Sequence, residues 1–167
     1  GDLIDNFIFG GKMLSTVLDA EVRIEKQWAL AEHYLSMFGD KILAIVAGNH
    51  DNWTKRVAGI DYLHKLARKK RVLYDPHEWQ LKFKVGKVMY NILLRHQARF
   101  NSSYNLTHVC KQLLRMGRYK DIPDVVVLGH HHTAALEYWI WGGRPRLAIR
   151  TGSYKLEDEF AVAHAFD

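Results

Sequence analysis

Two stretches, KILAIVA (41–47) and DVVVLG (124–129), carry continuous apolar runs bounded by charge or glycine. Each is too short for a surface helix and neither alternates, so each reads as a buried strand. Amphipathic segments surround them. Residues 17–38 place Val17, Leu18, Val22, Trp28, Ala31, Leu35 and Phe38 at mostly helical spacing, with Gly39 as the stop. A shorter helix is expected from about Ile60 to Lys70, and a third over 105–117. The third puts Leu106, Val109, Cys110, Leu113, Leu114 and Met116 on one broad face, closed by Gly117.

The stretch at 72–96 reads as a series of strands, broken at Asp75-Pro76 and again at Gly86. Residues 136–150 read as a hairpin about Gly142-Gly143, and EFAVAHAF (159–166) as a final strand. No repeat or Pro/Ser-rich linker intervenes, so a single domain of α/β or mixed α+β class is expected over 1–167.

Composition narrows the function classes. No apolar run approaches the ~20 residues that span a bilayer, and no secretory signal pattern opens the chain. Cys110 is the lone cysteine, which excludes an internal disulfide and fits a cytoplasmic protein. The net charge of +6 favours anionic partners, phosphorylated substrates or nucleic acid among them. The densest basic run, KLARKKR (65–71), reads as the solvated end of a helix.

The ten histidines are more telling, because several stand at strand ends. GDLID opens the chain, GNHD (48–51) follows ILAIVA, His96 follows MYNILLR, and GHHHT (129–133) follows VVVL. Ligand groups gather beyond the carboxyl ends of strands in open α/β sheets, so these four clusters are expected to converge. Aspartate, an asparagine carbonyl and imidazoles form an N/O donor set without thiolates, suited to Zn, Mn or Fe. Taken singly, GD and GNHD are ordinary turn sequences. Three consecutive imidazoles have no packing or turn rationale.

The order GD…GNHD…H…GHxH resembles the calcineurin-like metallophosphoesterase superfamily, carried here by Gly1-Asp2, Gly48 to Asp51, His96 and Gly129 to His132. IRTGSY (149–154) is similar to the glycine-serine turn that follows the last histidine motif there. The resemblance implies a four-layer α/β/β/α sandwich with two divalent ions (Mn, Fe or Zn), and hydrolysis of phosphomono- or phosphodiesters by a hydroxide held between them. On that basis Asp2 bridges both ions, Asn49, His96 and His130 complete the second, and His132 binds the first. Alternation along an extended segment would turn His130 and His132 the same way, leaving His131 to the surroundings of the site or to substrate. His50 is then the acid for the leaving oxygen, with Asp51 orienting its ring, and Asp5 is structural.

The family's opening aspartate-any-histidine motif has no counterpart before Gly1. The chain is therefore expected to be one piece of a protein whose missing N-terminal segment, or a partner fragment, supplies it, and to be inactive alone. The single match, Asp75-Pro76-His77, reads as a turn. RFNSSYN (99–105) either lines the substrate pocket or is a plain loop into the next helix. The alternative function is a non-catalytic scaffold that kept the fold. Retention of His50 and Asp51 argues against it, since a scaffold has no use for a leaving-group acid.

Overall fold

The computed structural model describes residues 1–5, 23–116 and 119–154. They form a mixed α/β protein whose chain divides into two compact units, Gly1–Trp79 and Gln80–Asp167.

In the first unit, helix α1 (Ile24–Phe38) buries Trp28 and Ala31. It ends at Gly39, whose φ of 55° is left-handed and whose N–H returns to the Ser36 carbonyl. The expected earlier start, with Val17, Leu18 and Val22, lies outside the described residues. A short 3-10 turn (Gly39–Lys41) leads into strand β1 (Ala44–Val46), so the run read as one strand over 41–47 is extended only at its centre. Helix α2 (Asp51–Ala58) follows the GNHD turn directly. Its sequence DNWTKRVA spans barely two turns, with Trp53 and Val57 its only large apolar residues, so the pattern did not predict it.

Helix α3 (Tyr62–Lys70) is capped by Asp61, whose carboxylate accepts the His64 N–H at 2.9 Å. The basic run occupies its last turn, where cations suit the negative end of the helix dipole. There Lys69 pairs with Glu32 and Lys70 donates to Ser36. Strand β2 (Leu73–Asp75) pairs in parallel with β1, Ala44 opposite Leu73 and Val46 opposite Asp75. Trp28, Ala31, Ile45, Ala47, Leu63 and Ala67 close the core of this unit. The Asp75 carboxylate accepts the N–H groups of His77 and Glu78 at 2.7 and 2.9 Å, so Asp75-Pro76-His77 is a side-chain-closed turn.

The second unit is built on a five-stranded sheet of order β3-β4-β5-β7-β6. Its strands are β3 (Glu78–Val85), β4 (Val88–Arg95), β5 (Val125–Leu128), β6 (Ala135–Trp141) and β7 (Arg144–Arg150). Strands β4, β5 and β7 run parallel, and β6 joins β7 antiparallel through the Gly142-Gly143 turn. Helix α4 (His108–Arg115) lays Val109, Cys110, Leu113 and Leu114 onto Leu93, Val126, Leu128 and Ala148 of the sheet. Met116, expected on that face, is exposed. Gly117 and the EFAVAHAF segment lie outside the described residues. The parallel strands end in register, Arg95 beside Leu128 and Leu128 beside Arg150. His96, Gly129 and Thr151 therefore leave the sheet together at its carboxyl edge.

Candidate metal centre

The polar clusters of the first unit are tied together by the backbone. Gly1 donates to the Val46 carbonyl at 3.0 Å, which sets the opening segment alongside the end of β1. Asp2 Oδ1 accepts the His50 N–H at 2.8 Å. Asp51, only 3% exposed, accepts the Leu3 N–H on Oδ1 at 3.0 Å and the Gly48 N–H on Oδ2 at 2.9 Å. A Cβ built on Gly48 would lie 1.8 Å from Asp2 Oδ1 and 2.4 Å from the Asp2 nitrogen. Glycine is therefore demanded at 48 by the close approach of Asp2, a stronger requirement than the turn alone.

Burial pushes the Asp51 carboxyl up to about 6; the two N–H donors pull it back and the neighbouring Asp2 charge adds to the rise. Its role differs from the expected one. Both oxygens are turned to Leu3 and Gly48, and neither reaches the His50 ring. His50 Nδ1 instead lies 2.7 Å from the Asp5 carbonyl. The ring also stacks on Trp53, centroids 4.1 Å apart and planes 20° from parallel. Asp5 thus acts through its backbone, and the ring is pinned by a carbonyl and an indole. Asn49 stands half-buried in the turn between β1 and α2, immediately before His50.

The second unit brings two of the predicted ligands together. His96, 5% exposed, places Nε2 3.2 Å from Nδ1 of His130, with the rings edge-on at 73°. A Cβ on Gly129 would come within 3.2 Å of His96 Nδ1, so a small residue at 129 leaves that ring its place. His130 has a φ of 74°, and the His131 N–H bonds back to the Gly129 carbonyl at 3.0 Å. This is a γ-turn with a positive central φ, rare and strained for a side-chain-bearing residue. The segment is therefore bent at 130–133, and the expected extended alternation of His130 and His132 is not present. His132 lies exposed and makes no hydrogen bond or ring contact with the pair.

His131 packs edge-on against His130, centroids 5.2 Å apart, with its Nε2 buried and unpartnered. Burial lowers its pKa, and the positive charge of Arg150, followed by His132 and His96, lowers it further. Arg150 escaped the sequence reading altogether. It ends β7 with 3% exposure and donates from Nη2 to Asn101 Oδ1 at 2.7 Å. A charge closing the alternating run RLAIR is the signal that could have marked it.

The donor chemistry fits a divalent ion. Two imidazole nitrogens bound about 2.0–2.1 Å from one ion at tetrahedral or octahedral angles stand about 2.8–3.4 Å apart, and the His96–His130 separation is 3.2 Å. No family model matches the chain, and no curated protein does. The functional reading therefore rests on the chain's own residues.

Proposed function

We propose that the protein is a cytoplasmic, metal-dependent phosphoesterase of the calcineurin-like metallophosphoesterase superfamily, folded as that group's α/β/β/α sandwich. Its ligands are Asp2, Asn49, His96, His130 and His132, and its substrates are phosphomono- or phosphodiesters. The observation that carries this reading is the His96–His130 pair, two imidazole nitrogens 3.2 Å apart at the ends of adjacent parallel strands. The strain of the His130 γ-turn supports it, since backbone strain of this kind collects at functional sites.

Two divalent ions, when bound, supply acidification of water and neutralisation of charge on the phosphoryl oxygens. The chain's own contribution centres on His50. The Asp5 carbonyl can only accept, so His50 Nδ1 carries a proton and Nε2 is the nitrogen that would exchange one. Attack of water on phosphorus breaks the ester P–O bond, and the protonated ring gives its Nε2 proton to the departing oxygen. Trp53 keeps the imidazole from turning away.

The test is hydrolysis of bis(4-nitrophenyl) phosphate and 4-nitrophenyl phosphate by the Mn²⁺-loaded full-length protein, with bound metal measured alongside. His50→Ala is expected to lower kcat by about a hundredfold or more while metal stays bound. His130→Ala is expected to lose both metal and turnover. Full activity in both variants would sink the assignment.

A further inference from the structure

The loop after His96 and helix α4 line a cleft of about 200 Å³. Val109, Leu113 and Met116 give it an apolar lining, the exposed Arg99 and Phe100 line it from the loop, and Gln112 adds an amide. Phe100 is 58% exposed and has a φ of 68°, a conformation that bulky side chains rarely adopt. The residue after it holds that geometry in place. Asn101 donates to the Ala98 carbonyl at 3.2 Å and accepts from the buried Arg150 at 2.7 Å. The aromatic ring is thus presented from a clamped loop.

Size and charge define the occupant. Small-molecule sites run to about 300–1,000 Å³, so a cleft of about 200 Å³ admits one ring system and not a whole ligand. Arg99, exposed and part of the lining, supplies positive charge, and guanidinium groups favour phosphate oxygens. An apolar wall, an exposed aromatic ring and an amide are the elements that receive a flat heteroaromatic base. Arg95, the last residue of β4, also lines the cleft and His96 is the next residue, so the cleft flanks a proposed metal ligand.

We propose that this cleft binds the base of a nucleotide, with Phe100 stacking on the base and Arg99 meeting its phosphate. The ligand chemistry is a nucleobase carrying a phosphate, whether a free nucleotide or the end of a strand. As a statement of substrate class it rests on the phosphoesterase reading, but its test needs no catalysis.

The protein is titrated calorimetrically in EDTA with AMP, ribose 5-phosphate and a 5′-phosphorylated tetradeoxyadenylate. Base stacking predicts AMP binding about tenfold tighter than ribose 5-phosphate. Phe100→Ala should remove that preference and Phe100→Tyr should keep it, while Arg99→Ala should weaken AMP and ribose 5-phosphate alike. Tighter binding of AMP than of the oligomer assigns the free nucleotide; the reverse assigns a strand end. Equal binding of AMP and ribose 5-phosphate, no binding of either, or an unchanged preference in Phe100→Ala overturns the proposal. Nucleotide binding without hydrolysis of nitrophenyl esters by the full-length protein under Mn²⁺ would remove the phosphoesterase reading alone. Ester hydrolysis without nucleotide binding would remove the cleft assignment alone.

Discussion

The carboxylate of Asp2 occupies the space where a side chain at Gly48 would begin, since a Cβ there would meet Asp2 Oδ1 at 1.8 Å. The two motifs GD and GNHD are thereby mutually dependent. Asp2 can approach the end of β1 only because residue 48 has no side chain, and its contact with the His50 N–H then sets the turn.

Gly48→Ala tests that dependence. The added methyl must push away both the Asp2 side chain and its backbone nitrogen, so overpacking should cost about 1–3 kcal/mol in urea unfolding. Mn²⁺ affinity should fall with it if Asp2 is a ligand. An alanine variant of wild-type stability and metal affinity would show that the close approach is dispensable.

Asp51 gives the protein a pH dependence of definite sign. Its folded pKa is raised by burial from 3.8 to about 6, so its stabilising contribution is full below 3.8 and is lost as pH rises through 6. In metal-free protein, stability measured across that window should carry this downward component with rising pH. Asp51→Asn should remove the component while lowering stability overall, because two backbone N–H groups then compete for one carbonyl oxygen. An unaltered slope in the variant would refute the assignment.

Asp61 carries the opposite sign. Burial opposes its charge, but the His64 N–H, Lys55 at 3.1 Å and the Tyr74 hydroxyl at 3.0 Å outweigh burial and hold its carboxyl below 3.8. Its contribution is present above that value and disappears as pH falls through the lowered one. Asp61→Ala should cost about 1 kcal/mol at neutral pH through loss of the α3 cap, with little difference from wild type in strong acid. Equal thermal stability of the two proteins at neutral pH would count against the cap.

The histidines should separate in metal binding. His96→Ala and His130→Ala each remove one nitrogen of the 3.2 Å pair and should weaken Zn²⁺ or Mn²⁺ binding by more than about tenfold. His132 stands apart from the pair, so His132→Ala should lose less. Calorimetric titration of the three variants gives the order directly, and equal losses would show that the bend at 130–133 rearranges around the ion.

Much of the framework was legible because periodicity is a local property. The runs ending at Val46, Arg95 and Leu128 are strands in the structure, and the polar residues after them stand at strand ends. The amphipathic segments at 24–38, 62–70 and 108–115 are helices whose interiors follow the apolar spacing. Helix α2 was missed because its eight residues carry only Trp53, Val57 and Ala58 as apolar positions, too few for a repeat to stand out.

Sequence alone thus determined which residues end strands, and so which chemistry could gather at a sheet edge: aspartate, asparagine and histidine without thiolates. Tertiary structure decided what those residues touch. Asp51 serves backbone N–H groups, His50 is held by the Asp5 carbonyl, His130 turns through a left-handed φ toward His96, and Arg150 clamps Asn101. The physical reason lies in range. A repeat of 2 or about 3.6 residues encodes which face of an element is buried, whereas a hydrogen bond between distant segments exists only once the chain has closed and left its donors few other acceptors.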